Sequence, residues 1–577
     1  MKPDTSSHAS TAHHFLEGLN ELGIEYLFCN LGTDHAPIIE EMARSRAEGR
    51  AFAKPILCPH ENVAAHMAAG CAIATGRGQA ILVHVDAGTA NAAMAAHNLC
   101  RMRVPALLVA GRAPHTIRGE LPGTRDTYVH FVQDPFDQAS LVRPYIKWEY
   151  TLPSGVIVKE ALRRAHTMMQ SDPKGPVYLM LPRETLAEHW PPAAVRSFPE
   201  DRYGPVAAAG ADPERIAALA DRLIAARHPI LVTAYAGRNA ATPKRLDALA
   251  RFAAIRVFEF NPVYLNIPHD SPCFAGFQPG RHVAQADVGL LVDVDVPWIP
   301  KDTPENPATF WAHIDVDAVK RGFPMWGFPS HLRIEGDSDR ILAQLLEALR
   351  ERATPEFKAR AHERMAAIEA EQRARKEEWA RLAAAPGERG LINAQWFCAR
   401  LSEALDAEDI VLNEAVRNAA AVFMQVPRTK PGTMVGIAGG GLGYSGGMAL
   451  GMKLALPDRT VVQVVGDGSF YFCNPEAVYA VAAEYRLPIF TVVLDNGGWA
   501  AVKEATLRMH PEGEAKRRGE YASVLPRGVS FAKIAEAAGA HGETLQDPAE
   551  APAAIRRCLA QVRGGRAALL HVRITPH

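Results

Sequence analysis

Residues 460–469, TVVQVVGDGS, and residues 488–498, PIFTVVLDNGG, decide how the chain is read. Each is a short run that is apolar almost throughout and rich in β-branched residues, closed by an acid and glycine. Such runs fit strands buried on both faces, as in a parallel sheet covered by helices. The 26 residues between Gly468 and Asp495 leave room for the crossover that parallel strands need. The ends of such strands converge on one edge of the sheet, where ligands bind. There the carboxylate of Asp467 and the amide of Asn496, with a nearby backbone carbonyl, suit a hard cation such as Mg2+. The amides of Gly468 and Ser469, at a helix start, would receive the oxygens of a diphosphate bridged by that cation. Two unrelated Asp-Gly and Asn-Gly turns account for the same residues equally well when the stretch is taken alone.

Outward from this stretch the chain divides into three segments of alternating strand-like and helix-like runs, at 8–190, 205–350 and 385–577. In the first, EYLFCN, AILVHV and ALLVAG read as strands and NVAAHMAAGCAIATG as an Ala-rich helix; PILVTA, RVFEF, VGLLVDV and ATFWAHIDV mark strands of the second. DIVLNE and ALLHVRI add strands to the third. The expected fold class is α/β, with parallel sheets flanked by helices in three domains. The first and third segments share size and alternation, which suggests a duplicated architecture. DRYGPVAAAGADPE, at 201–214, reads as a linker, and the charged run 354–380 as a solvated helix with local ion pairs.

At 577 residues the chain is too long for one core. Apolar residues at 48% and charged residues at 22% exclude disordered and fibrous classes. A net charge of -1 speaks against a nucleic-acid binder, so the expected partner is a small molecule, with no nucleic acid and no membrane. Eight cysteines without a C-x-x-C pair, a polar N-terminus and the absence of any long apolar run lead us to expect a cytoplasmic protein. GLGYSG, at 441–446, also matches the dinucleotide fingerprint G-x-G-x-x-G, with Asp467 placed 21 residues beyond Gly446 as a ribose-binding acid. A nicotinamide- or flavin-dependent oxidoreductase is therefore a competing reading.

GDG followed after this interval by DN resembles the diphosphate motif of thiamine diphosphate enzymes, with Asp495 standing where the first Asn of the usual pair is expected. The similarity extends through CPHENVAAHMAAGCAIATG, ILVHVDAGTANAAMAAHNLC, VPALLVAGR, RPYIKWEY, GPVYLMLPRE and GGGLGYSGGMALGMKLA to the acetolactate synthase and benzoylformate decarboxylase group. The resemblance implies a pyrimidine-binding domain, a central domain and a diphosphate-binding domain, in that order. It implies thiamine diphosphate and Mg2+ as cofactors, with Asp467, the Asn496 side chain and the Gly498 carbonyl on the metal. Gly468 and Ser469 would hold the diphosphate, and Gly441 and Leu442 the body of the cofactor, Leu442 propping its bent shape. Glu61 matches the glutamate that shares a proton with the aminopyrimidine.

On the substrate side, Thr33 in NLGTDHAP matches a serine that contacts the substrate carboxylate, and His84 a proton-transferring histidine; His35 is a further candidate. VDVDVPWIPKDTPENP, at 292–307, holds Trp298 and Pro300 but no histidine where benzoylformate decarboxylase has its second one, and Trp499 replaces a usual Tyr. Bulky aromatics there imply a reshaped pocket. Decarboxylation of a 2-oxo acid to an aldehyde is the first expectation, with carboligation to a 2-hydroxy ketone and acyl-CoA lysis as alternatives. FAD is possible, with no site legible for it. A homodimer or homotetramer with shared active sites is implied.

Overall fold

The computed structural model describes residues 8–526 and 528–576. Three parallel sheets carry the architecture of the described residues. The first is built from β1 (Tyr26–Cys29), β2 (Lys54–Leu57), β3 (Gln79–Val83), β4 (Ala106–Arg112), β5 (Glu149–Thr151) and β6 (Pro176–Pro182). The second holds β7 (Pro229–Thr233), β8 (Arg256–Glu259), β9 (Val288–Val292), β10 (Phe310–Asp315) and β11 (Leu332–Glu335). The third holds β12 (Ile410–Glu414), β13 (Met434–Val435), β14 (Val461–Gly466), β15 (Phe490–Asp495), β16 (His541–Leu545) and β17 (Ala568–Arg573). Their spatial orders are β2-β1-β3-β4-β6-β5, β8-β7-β9-β10-β11 and β13-β12-β14-β15-β17-β16. Counted from its own first strand, the first sheet runs 2-1-3-4-6-5, and so does the third. The similarity seen in the sequence is one topology used twice. Each inner strand is apolar on both faces because helices cover both sides.

The two repeated units meet through the helices Glu61–Thr75 and Ser445–Ala455, whose buried faces are dominated by Ala, Gly and Met. Val63, Met67, Met448 and Met452 are buried in one apolar cluster that continues into the central sheet. Small residues let the two backbones approach closely, and polar bridges lock the contact. Asn62 donates to the Phe472 carbonyl at 3.2 Å, and Asn98 donates to the Gly441 carbonyl at 2.9 Å.

The central sheet docks by charge. In a sheet of order 2-1-3-4-5 the switch point lies between the ends of its first and third strands, here β7 and β9. Arg103, from the first unit, fills that crevice: it lies over the Tyr235 ring and pairs with Asp295 and Asp315 at 2.9 Å each. Lys320 completes the cluster at 2.8 Å from Asp295 and 2.6 Å from Asp315. Beside this cluster the same edge keeps a cavity of about 460 Å³, lined by Tyr235, Phe260, Asn261 and Val296 among others.

The charged run forms the 28-residue helix Pro355–Leu382. Most of its charged side chains are exposed, as expected, while Phe357, Ala361 and Ile368 are buried and the charges on that side reach the central unit in place of one another. Arg364 donates to the carbonyls of Ala226 and Ala253, and Glu371 pairs with Arg256. Trp298 also differs from expectation. It is buried in the central unit against Trp311 and Phe328, so it fills core and does not shape a pocket. No helix among the described residues is long and apolar enough to cross a membrane.

Candidate active site

The parallel register sets Leu494 beside Gly466, so β14 and β15 deliver Asp467 and Asp495 to the same edge. Both carboxylates are buried. Burial, and then the neighbouring Asp495 carboxylate, pushes the Asp467 carboxyl up to about 7. Asp495 goes the other way: burial opposes its charge, but His571 and Arg573 outweigh it and hold its pKa below the ordinary value. His571 Nε2 and Arg573 Nη1 each lie 2.7 Å from Asp495 Oδ2, and both residues stand on the adjacent strand β17. This accounts for the acid at position 495, which is matched by basic partners next door. Asp467 has none of these, and a buried carboxylate short of positive charge at a strand end fits a divalent cation.

Asn496 and Gly498 follow at once, in a tight turn. The Asn496 side chain accepts from the Gly498 amide at 3.2 Å, and the Gly498 carbonyl accepts from the Ala500 amide at 3.1 Å. Both expected ligands follow Asp495 directly, at the end of the strand paired with the one that delivers Asp467, and each oxygen accepts one local hydrogen bond, which leaves it a second lone pair. Gly468 and Ser469 lie in the first turn of the short helix Asp467–Phe472. The Trp499 indole lies against Gly468, where an added Cβ would fall 2.4 Å from its Cδ1.

GLGYSG behaves differently from a dinucleotide loop. Glu414, at the end of β12, is buried and accepts from the amides of Gly443 and Ser445 and from the Ser445 hydroxyl. Burial, partly offset by these bonds, pushes its carboxyl up to about 7. The donors that a pyrophosphate would need at this helix start are already taken by a carboxylate. This removes the physical basis of the oxidoreductase reading. Gly441 and Leu442 precede the helix, with the Gly441 carbonyl held by Asn98.

Glu61 opens the helix Glu61–Thr75 and is 8% exposed, with Asn91 donating to its carboxylate at 3.0 Å. A second cluster gathers at the carboxyl edge of the first sheet. His84 follows β3, and its Nδ1 lies 2.5 Å from Asp34 Oδ1 and its Nε2 2.8 Å from Gln133 Oε1. Thr33 Oγ1 lies 3.1 Å from His130 Nε2. The hydrogen bond with Asp34 raises the His84 pKa despite partial burial. Burial, and then the Arg183 charge, lowers that of His130. His35 departs from its expected role: it is wholly buried behind Asp34, its pKa lowered by burial, so it supports the cluster and cannot meet substrate directly. Asp34, His130 and Gln133 were not legible as site residues. Asp34 stands inside the quoted NLGTDHAP, but 126–133 carries no motif, and only the fold brings it to this edge.

Residues 9–141 match the thiamine pyrophosphate enzyme N-terminal TPP binding domain, and residues 417–572 the C-terminal TPP binding domain. The chain is 26% identical over 507 residues to benzoylformate decarboxylase of Pseudomonas aeruginosa, covering 84% of this chain and 86% of that protein. It is 23% identical over 545 residues to the acetolactate synthase isozyme 3 large subunit of Escherichia coli, covering 90% and 88%. The solved structure of a thiamine diphosphate-dependent 4-hydroxybenzoylformate decarboxylase from Rhodococcus jostii shares the fold, with a TM-score of 0.77 at 21% identity over 99% of this chain and 100% of that one. With two matching cofactor domains on a duplicated topology, the chain belongs to the thiamine diphosphate-dependent enzymes of the decarboxylase and acetolactate synthase group.

Proposed function

We propose that this enzyme decarboxylates a 2-oxo acid without oxidation, releasing the aldehyde, with thiamine diphosphate and Mg2+. The observation that carries the reading is the His84 cluster at the edge of the first sheet. An aldehyde product needs a proton at the carbon that lost CO2, and a histidine hydrogen-bonded at both nitrogens beside Thr33 is equipped to hold one. Carboligation, in which a second carbonyl takes that place, is the alternative, supported by the likeness to acetolactate synthase. Acyl-CoA lysis has no residue of this chain to recommend it.

In this reading the regions 8–190, 205–350 and 385–577 act as pyrimidine-binding, central and diphosphate-binding domains. Thiamine diphosphate supplies the nucleophilic carbon and the electron sink. Asp467, Asn496 and the Gly498 carbonyl hold Mg2+, and the amides of Gly468 and Ser469 the diphosphate. Gly441 and Leu442 bear on the cofactor body, and Glu61 holds a proton at its pyrimidine ring. Thr33 receives the substrate carboxylate and His84 transfers the proton. A homodimer or homotetramer joins the first unit of one chain to the third of another. The apolar side chains exposed at both edges support this: Tyr128, Val132 and Phe136 on one, Trp499, Val502 and Met509 on the other.

The test is CO2 release and product mass from a panel of aliphatic and aromatic 2-oxo acids with thiamine diphosphate and Mg2+, beside Glu61→Gln. CO2 with the one-fragment aldehyde supports the proposal, and CO2 with a larger hydroxy ketone makes the enzyme a carboligase. No CO2 from any acid overturns the reading, and normal turnover in Glu61→Gln overturns the role of Glu61.

A further inference from the structure

Asp34 is fully buried, and the only positive partners it has among the described residues are two imidazoles. His84 Nδ1 lies 2.5 Å from its Oδ1, and His35 Nε2 lies 3.2 Å from its Oδ2. The donor inventory fixes where the protons are. His35 Nδ1 accepts the Gly32 amide at 3.0 Å, so that nitrogen is bare and the ring carries its single proton on Nε2, 3.2 Å from Asp34 Oδ2 but without a hydrogen bond to it. His84 is placed otherwise. Both of its nitrogens meet acceptors, Asp34 Oδ1 and Gln133 Oε1, so both are satisfied only when both carry protons.

The backbone makes room for this arrangement. A Cβ at Gly111 would fall 1.3 Å from Asp34 Oδ2, and one at Gly32 would fall 1.9 Å from His84 Nδ1. Any side chain at either position would displace the carboxylate or the ring. Other charged groups face the pair. Asp86, on the helix Val85–Arg101 that His84 precedes, favours the imidazolium, whereas His35 and His130 oppose it when protonated.

We propose that Asp34 is a positioning residue that keeps His84 doubly protonated at neutral pH. His84 then meets the carboxylate of a 2-oxo acid as a cation, with its Nε2 proton held by Gln133 Oε1. The use of that proton in turnover rests on the decarboxylase reading; the protonation of His84 does not. The direction of each shift agrees: His84 is raised, chiefly by its bond to Asp34, while burial lowers His35.

Histidine C2 hydrogen–deuterium exchange, read by mass spectrometry on the full enzyme with thiamine diphosphate and Mg2+, reports each histidine's titration separately. In the wild type the His84 midpoint should lie above neutrality, and so above the ordinary value of about 6.5. In Asp34→Asn it should fall by at least about one unit, a tenfold lower ratio of charged to neutral ring at a given pH. The alkaline limb of the turnover profile should move down with it. Gln133→Met, which removes the other acceptor and leaves Asp34, should lower the midpoint by less. A wild-type midpoint below neutrality, or an unchanged midpoint in Asp34→Asn, overturns the proposal. The expected His84 shifts in an enzyme that releases no CO2 from any 2-oxo acid would uphold Asp34's role while removing the decarboxylase reading.

Discussion

Gly70→Ala sets two physical effects against each other with opposite signs. In a helix interior, alanine for glycine stabilises by roughly 0.5–1 kcal/mol through backbone entropy alone. Gly70, however, lies where the helix Glu61–Thr75 crosses the helix Ser445–Ala455. A Cβ there would fall 2.0 Å from the Met448 carbonyl oxygen and 3.0 Å from its Cα. The contact is reciprocal, since a Cβ at Gly451 would fall 2.0 Å from the Met67 carbonyl oxygen. Carbon–oxygen contacts of this kind sit at about 3.3 Å or more, so the helices must part by about 1.3 Å. No rotamer can absorb that, because the obstructing atoms are helical backbone. Overpacking of this kind costs about 1–3 kcal/mol, and parting the helices forfeits dispersion around Val63, Met67 and Met448 as well. The net expectation is a loss of at least about 1–2 kcal/mol, with weakening of the Asn98–Gly441 and Asn62–Phe472 bridges across the same contact. Thermal and urea unfolding of matched variants read the sign directly. Gly18→Ala is the control, because a Cβ there meets the end of the flexible Leu162 side chain at 2.6 Å and no backbone, so little change is expected. A Gly70→Ala protein as stable as the wild type, or more so, would refute the close-crossing argument.

Three other perturbations follow from the buried charges. Arg103→Met leaves Asp295 and Asp315 with Lys320, and Asp293 with Arg238, as their main countercharges and should cost about 3–5 kcal/mol in unfolding free energy; a change below about 1 kcal/mol would mean the cluster does little. Glu414 has its carboxyl raised from 4.5 to about 7 by burial, so the folded state binds this proton more tightly than the unfolded one. Its contribution is full below pH 4.5 and is lost as pH rises through 7, by at most about 3 kcal/mol, so the stability gap between wild type and Glu414→Gln should shift in the variant's favour from pH 5 to pH 8. A gap that stays constant would contradict this. Asp467→Ala should abolish the Mg2+-dependent rise in melting temperature that thiamine diphosphate gives the wild type, which is worth about 2.7 kcal/mol at a hundredfold excess over Kd; a retained rise would place the metal elsewhere.

The meeting of Asp467 and Asp495 at one edge of the third sheet was legible because each stands at the end of a local motif. Asp467, Gly468, Asn496 and Gly498 each follow directly on a strand whose apolar run is unmistakable, and parallel pairing does the rest. The first sheet's cluster was half legible. Thr33, His35 and His84 sit in or beside strand-end motifs, but which histidine faces outward was not. His35 stood as a further candidate behind His84, and its burial behind Asp34 comes from a turn that a sequence pattern does not encode. Trp298 was misplaced for a related reason: a large aromatic beside a strand end serves a pocket or a core equally well until its neighbours, Trp311 and Phe328, are known.

The sequence by itself determined the inner strands, their parallel pairing and the three-part order, because strands buried on both faces must be apolar throughout and must be joined by crossovers. It left the sheet margins open. Glu149–Thr151, Met434–Val435 and His541–Leu545 are short or partly polar, and an edge strand is fixed by the partner beside it more than by its own pattern. Tertiary structure alone decided what stands beside each charge. Asp495 is explained by His571 and Arg573, residues more than seventy positions away, and Glu414 answers for the glycine loop it holds. Pairings of that kind depend on which strands become neighbours, and strand order is a property of the folded chain.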